Sequence, residues 1–287
     1  LHARDPVAAI THVDELLSQA SNIAAKEQLL GWLGALEDSA GRRAQALARW
    51  IALAELRRPL QLPLTPISLP PDKVPTGDWP AWEAGGAADD APRELRTLFL
   101  WGPPGSCVEQ VAAQLSAFDG FRADRLSPAA PGDAFQRFAS IEQLSSGELT
   151  GAAAADDWRR ALPAREIQGE QVIDWLLWWD NALLRALRPH FPDAGLVFVV
   201  RDPRDMLLQW LARGSPMQFA VPSPLESARW MAAVLAQVAD TVAQPLFRSV
   251  LLKIDGMEGD AAAIGGRLSE TLGLEVPVVP VPVDVLP

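Results

Sequence analysis

The residue best suited to bind an anion is Arg201, which directly follows the apolar run Leu196–Val200. Five apolar residues with no polar face predict a central strand of a parallel sheet. Ligands of open α/β sheets bind beyond the carboxyl ends of such strands, and a guanidinium there can donate two hydrogen bonds to one phosphate. The sequence therefore predicts an anion site at Arg201. The alternative is an ordinary ion pair between Arg201 and Asp202 or Asp205.

The residues after Arg201 predict the start of a helix. Asp202 is suited to the N-cap, Pro203 to the first helical position and Asp205 to the third. The backbone N–H groups of a helix start favour an anion. We interpret both aspartates as capping groups and predict no metal site.

A second candidate segment is GPPGS, residues 102–106. It lies between an apolar strand predicted over 95–101 and a helix predicted over about 107–115, the order of a phosphate-binding loop. A Walker A motif would place Gly-Lys-Ser/Thr on positions 107–109, where the chain has CVE, which argues against a standard ATPase or GTPase. Cys107 could be a reactive thiol at the helix start, but a buried, unreactive thiol is the favoured interpretation.

Composition excludes several function classes. A net charge of −11 argues against partners such as nucleic acid and anionic membrane surfaces. A single cysteine excludes an internal disulfide framework and a cysteine-built zinc site. No apolar run is long enough to span a membrane. We expect a cytoplasmic protein, and its oligomeric state stays open.

The chain divides into two predicted domains and a linker. Residues 1–57 predict a helical segment with three helices from residue 6, and residues 26–56 resemble a tetratricopeptide (TPR) helix pair. One pair is too short for a stable solenoid, so we expect either further repeats or direct packing onto the next domain. Residues 58–92 are proline-rich and predict a linker. Residues 93–287 then form an α/β domain.

Further elements of that domain follow from apolar spacing and capping residues. We predict helices near 152–161, 171–188, 223–242 and 259–273 and a strand at 250–254, and the last twelve residues can form only an edge or polyproline strand. On the second helix Trp175, Trp178 and Trp179 share one face. Core or interface packing is the favoured interpretation of this face, and filling of a ligand cleft is the alternative.

The order of these motifs resembles the bacterial TPR sulfotransferases, which are relatives of the protein tyrosine sulfotransferases. The order is GSCVEQ, VIDW, FPDAGLVFVVRDPRD, LLKIDG and a final helix ending in LGL. The most specific piece is FPDAGLVFVVRDPRD, which is similar to the family's strand and 3′-phosphate motif. The spacing from Asp174 to Arg201 also fits the family's interval within one residue. The resemblance covers most of residues 26–275.

The resemblance implies a P-loop-like α/β fold that binds 3′-phosphoadenosine-5′-phosphosulfate (PAPS) or its product 3′,5′-adenosine bisphosphate (PAP). The activity that it implies is in-line transfer of a sulfuryl group to a hydroxyl acceptor. A protein or a peptide is one possible acceptor. The residues that it implies for nucleotide binding are Gly102, Gly105, Ser106, Arg201 and Gln209. For the catalytic carboxylate it implies Asp124 or Asp119.

Several positions depart from the family pattern. Gly102 stands where the family loop has a cation, and Pro103 and Pro104 lack the backbone N–H groups of the phosphate loop. Trp175 replaces the lysine of an Asp-Lys pair, and Ile254 replaces a tyrosine. Each lost charge-assisted contact weakens binding by about 1.5–3 kcal/mol, and each lost transition-state donor slows transfer about a hundredfold.

Sulfuryl transfer is therefore predicted to be weakened or lost. The alternative is a non-catalytic interaction module that binds a protein or peptide partner through the TPR-like helices and the tryptophan-rich face. A third hypothesis keeps the enzyme active by bringing Arg122, Arg125 or Arg204 into the site.

Overall fold

The computed structural model describes residues 6–60, 97–118, 120–122, 133–135, 137, 139–163, 172–176, 178–191, 194–214, 219–243, 248–273 and 275–280. The helices are α1 (Pro6–Gln19), α2 (Ile23–Ser39), α3 (Arg43–Arg57), α4 (Val108–Leu115), α5 (Ser140–Ser146), α6 (Gly151–Ala161), α7 (Leu184–His190), α8 (Pro203–Arg213), α9 (Pro224–Ala243) and α10 (Ala261–Leu272). The strands are β1 (Thr97–Trp101), β2 (Phe121–Arg122), β3 (Val172–Trp175), β4 (Ala194–Val200) and β5 (Arg248–Lys253). None of the described helices is long and apolar enough to cross a membrane.

The chain separates into two compact units. The first contains residues 1–64 and 202–229, and the second contains residues 65–201 and 230–287. Helix α8 therefore belongs with the N-terminal helices, although the sequence assigned it to the α/β domain. Of the predicted linker, only residues 58–60 are described, and they form a short 3-10 turn.

The first unit contains the three predicted helices, and their prediction is confirmed. Helix α2 begins after Asn22, whose side chain accepts a hydrogen bond from the backbone of Ala25. Helices α2 and α3 pack closely because Gly34 leaves room for the indole of Trp50. Leu33 and other apolar side chains of both helices are buried between them. Helix α8 adds its apolar face to α2 and α3.

The second unit is built on a parallel sheet with the strand order β2-β3-β1-β4-β5. All four neighbouring pairs are parallel. The predicted α/β class with a parallel sheet and flanking helices is therefore confirmed. All seven residues of β4 are buried, as its continuous apolar sequence predicted. Helices α4 and α10 contribute to the core on one face of the sheet.

The predicted helix over 171–188 is wrong. Residues Val172–Trp175 form strand β3, a 3-10 turn follows at Asn181–Leu183, and only Leu184–His190 is helical. Helical spacing is compatible with the three tryptophans, but pairing with β1 and β2 favours an extended backbone here. The three tryptophans therefore form no helical face. They expose only 7%, 5% and 2% of their surface, so they pack inside the protein.

The last elements of the second unit agree closely with the prediction. Helix α9 begins after Ser223, whose hydroxyl accepts a hydrogen bond from the backbone N–H of Glu226 and donates one to the Glu226 carboxylate. Strand β5 and helix α10 follow, and α10 ends at Gly273 in the left-handed conformation. The C-terminal segment 275–280 forms no strand. Instead, the Gln114 side chain both donates to and accepts from the backbone of Val279.

Candidate functional site

The candidate site is the loop GPPGS between β1 and α4. The backbone N–H of Ser106 donates to the carbonyl of Pro103 at 3.0 Å, which closes a tight turn. Pro104 and Gly105 are the central residues of this turn, and Gly105 has a φ of +77°. Such a turn favours proline followed by glycine, so this sequence forms a fixed loop.

Gly102 is required here for packing. A Cβ at this position would collide with Ser106 Oγ and would lie 2.8 Å from Val108 Cβ and 3.1 Å from the carbonyl oxygen of Val199. Ser106 thus folds back over Gly102. Its side chain is fully buried, and its Oγ has no hydrogen-bond partner among the described residues. A buried hydroxyl without a partner at the centre of a loop marks a place where a polar ligand atom can bind.

Cys107 joins this loop to α4 in a strained conformation. Its φ of 59° lies in the left-handed region, and no other non-glycine residue described has a positive φ. Burial, and to a smaller extent nearby Glu109, raise the pKa of its thiol to about 11, although Arg201 acts in the opposite direction. The thiol is therefore protonated at neutral pH, so Cys107 is not an activated nucleophile.

Arg201 lies beside this loop, as the sequence predicted. Strand β4 is paired with β1, so the carboxyl ends of the two strands lie together. One guanidinium nitrogen of Arg201 donates to the carbonyl of Gly105 at 3.3 Å and contacts Cys107 Sγ at 3.4 Å. The structure thus brings together Gly102, Gly105, Ser106 and Arg201 of the predicted nucleotide contacts.

The positive charge of Arg201 is matched within the same unit by Glu258. Arg201 Nε lies 2.5 Å from Glu258 Oε1, and the two side chains expose 12% and 17% of their surface. The predicted alternative of an ion pair to Asp202 or Asp205 is wrong in its partner. Asp202 instead caps α8 and binds the exposed Arg204 at 2.6 Å. That hydrogen bond lowers the pKa of Asp202 to about 2.

Sequence reasoning missed Glu258. A signal was present, because Glu258 follows β5, and β5 neighbours β4 in the sheet. Loops after neighbouring parallel strands meet at the same edge. Two successive turns hold this loop: Met257 N–H donates to Ile254 O and Asp260 N–H donates to Met257 O. The side chain of Gln110 accepts a hydrogen bond from Gly259 N–H at 2.8 Å.

The remaining predicted site residues lie in the first unit or outside the described residues. Gln209 lies on α8 in the first unit. Asp119 and Asp124 lie outside the described residues, as do Arg125 and the side chain of Arg122.

Asp174 is buried in β3 and accepts a hydrogen bond from Trp158 Nε1 at 2.7 Å. Trp158 belongs to an aromatic cluster with Phe99, Phe135 and Phe191, in which ring centres are 5.1–6.4 Å apart. This environment gives Asp174 a structural role. Among the described residues no group of three or more His, Cys, Asp or Glu side chains could hold a metal ion.

The described part of the site therefore offers one cation, a buried hydroxyl and a tight loop. Comparison with family models, with curated proteins and with solved structures found no match to this chain.

Proposed function

We propose that this chain is a sulfotransferase-like protein in which transfer of a sulfuryl group from PAPS has been lost and weak binding of the product nucleotide PAP remains. Two observations support the relationship. The segment FPDAGLVFVVRDPRD resembles the 3′-phosphate motif of the sulfotransferases, and Arg201 of that segment lies against a strand–loop–helix turn. The single observation that carries the loss of activity is the ion pair between Arg201 and Glu258.

In-line sulfuryl transfer needs positive charge where negative charge accumulates. As in phosphoryl transfer, cations and aligned donors must stabilise the bridging oxygen and the phosphates. Arg201 is the one cation that the described part of the loop site contains, and Glu258 neutralises it. Pro103 and Pro104 supply no N–H donors. Such a site lacks the electrostatic stabilisation that the transition state requires.

Weak nucleotide binding is expected from two groups that the loop site retains, the guanidinium of Arg201 and the hydroxyl of Ser106. Arg201 can donate to a phosphate once its ion pair with Glu258 is broken, because a guanidinium carries several N–H donors. Ser106 adds a hydroxyl without a partner among the described residues. The charge-assisted contact contributes about 1.5–3 kcal/mol and the hydroxyl about 0.5–1.5 kcal/mol, so we expect a Kd for PAP between about 1 and 30 mM.

The test is thermal unfolding with and without PAP. At a concentration about ten times Kd, binding stabilises the folded protein by about 1.4 kcal/mol. That corresponds to a rise in Tm of about 3–6 °C for a protein of this size. Arg201→Ala should abolish the rise, whereas Arg204→Ala should keep it, because Arg204 is exposed and bound to Asp202.

Two results would overturn the proposal. A Tm that does not change with PAP would remove the nucleotide site. Transfer of labelled sulfuryl from PAPS to a hydroxyl acceptor would show that activity is retained, and its loss in Arg204→Ala would favour a rearranged set of cations.

A second candidate function is partner binding by the helices of the first unit. Exposed large apolar side chains are concentrated there, including Trp32 of α2, which is 52% exposed. An indole on a helical surface is the side chain that most often anchors a protein interface. Trp175, Trp178 and Trp179 do not support this candidate, because they are buried. The test is binding of a partner protein by wild type and two variants. Loss of binding in Trp32→Ser but not in Leu225→Ser would support this candidate, because Leu225 is a similarly exposed apolar residue.

A further inference from the structure

The carboxylate of Glu258 is paired with Arg201, the side chain that would contact a bound anion. We infer that Glu258 is an internal competitor that closes this site to anions, and that Gln110 is the positioning residue that holds it there. The inference rests on the proposed function, because it takes Arg201 as the anion contact. It adds to that function the carboxylate of Glu258, which controls the access of anions to Arg201, and Gln110, which positions Glu258.

The position of Glu258 is set by its backbone. Glu258 and Gly259 are the central residues of the turn from Met257 to Asp260, and Gly259 has a φ of +80°. A non-glycine residue is strained in that conformation, so this turn depends on glycine. Glu258 is therefore presented from a defined turn, which reduces the entropy lost when its side chain pairs with Arg201.

Gln110 connects this turn to the GPPGS loop. It lies in the first turn of α4, its side chain is fully buried, and its Oε1 accepts from Gly259 N–H at 2.8 Å. Because Gly259 directly follows Glu258, this hydrogen bond anchors the backbone of Glu258 to the start of α4. Arg201 reaches the same loop through Gly105. This hydrogen bond and the turn together hold Glu258 on the side of the loop that Arg201 contacts.

The polar atoms around Arg201 are consistent with a site closed by its own side chain. Arg201 and Glu258 are both mostly buried, whereas the ion pair between Arg204 and Asp202 leaves its arginine 87% exposed. Exposed pairs contribute little and exchange easily with solvent ions, but a desolvated pair must be broken before another anion can bind. Ser106 Oγ, buried in the same loop, is left without a partner among the described residues while the pair is intact.

The experiment is calorimetric titration of the full chain with inorganic pyrophosphate. Glu258→Gln should bind it about tenfold more tightly than wild type, because the competing charge is gone and the side-chain size is kept. Gln110→Met removes the acceptor for Gly259 at nearly constant length and should give part of the same gain. Adding Gln110→Met to Glu258→Gln should change the affinity no further.

Controls separate this closure from general charge or stability effects. Glu270→Gln removes one carboxylate from an exposed ion pair on α10 and should leave the affinity unchanged. Arg201→Gln in the Glu258→Gln background should abolish the gain. A purely structural role of Gln110 would lower the Tm of Gln110→Met without tightening pyrophosphate binding, and that result would overturn its positioning role.

Equal affinity of wild type and Glu258→Gln for pyrophosphate would overturn the closure itself. If Glu258→Gln does not fold, Glu258→Ala replaces it in the same titration, because it also removes the competing charge. The affinity of the same variants for PAP tests the proposed function separately. A variant that gains affinity for pyrophosphate but binds PAP no better than pyrophosphate supports the closure and contradicts a nucleotide site.

Discussion

Replacing Gly102 with alanine tests whether the GPPGS loop has the packed form described above. A Cβ on residue 102 would overlap Ser106 Oγ and lie 2.8 Å from Val108 Cβ. The serine hydroxyl can rotate away, but Val108 Cβ is attached directly to the backbone of α4. The main chain must therefore shift. Forcing one extra carbon into a well-packed site typically costs about 1–3 kcal/mol.

We expect Gly102→Ala to lower the Tm by about 2–4 °C for each kcal/mol lost, hence by about 4–8 °C at the middle of that range. The matched control is Gly266→Ala. Gly266 lies in α10, where an added Cβ meets no atom within 4 Å. Alanine there should stabilise the helix by about 0.5–1 kcal/mol.

The assay is thermal unfolding followed by circular dichroism and, independently, by tryptophan fluorescence. Gly102→Ala should also weaken the binding of PAP, because Ser106 and Arg201 would no longer keep their distances to the loop. If Gly102→Ala melts at the wild-type temperature while Gly266→Ala is stabilised, Ser106 does not fold over Gly102. The packing argument for this loop would then be refuted.

Three further predictions concern stability. Gly34→Ala should destabilise the first unit by about 1–3 kcal/mol, because the new Cβ would overlap the Trp50 indole, whereas Gly31→Ala on the same helix should be neutral or stabilising; thermal melts compare the two. Since the pKa of Cys107 is raised from 9.0 to about 11, the stability that its neutral thiol supports should be constant below pH 9 and fall between pH 9 and 11. Alkaline unfolding of wild type and Cys107→Ala measures this difference, and the absence of tyrosine simplifies it. Ser223→Ala should lower the unfolding free energy by about 1 kcal/mol through loss of the α9 cap, as urea titration would show.

The error over residues 171–188 shows where the sequence is ambiguous. The pattern of Trp175, Trp178 and Trp179 fits a helix, yet Trp175 ends a strand because β1 offers a partner for it. Periodicity describes which side chains are buried together, but it does not say which backbone places them there. A four-residue strand has too few residues to show its own period.

Some features of the candidate site could likewise be predicted from the sequence, and others could not. The position of Arg201 at a strand end and of Ser106 in a glycine loop could be predicted, because each depends on a few neighbouring residues. The pairing of Arg201 with Glu258 could not, since the two residues are 57 positions apart in the chain. Their approach depends on the order of β4 and β5 in the sheet.

The sequence by itself determined the elements whose causes are local. These are the buried strand β4, the loop turn at Pro104 and Gly105, and the helix starts capped by Asp202 and Ser223. Each of them follows from side-chain chemistry within a few residues. Only the tertiary structure decided that Arg201 is neutralised. Whether a charge is free depends on what surrounds it in space, and that is set by strand order and by contacts between distant segments.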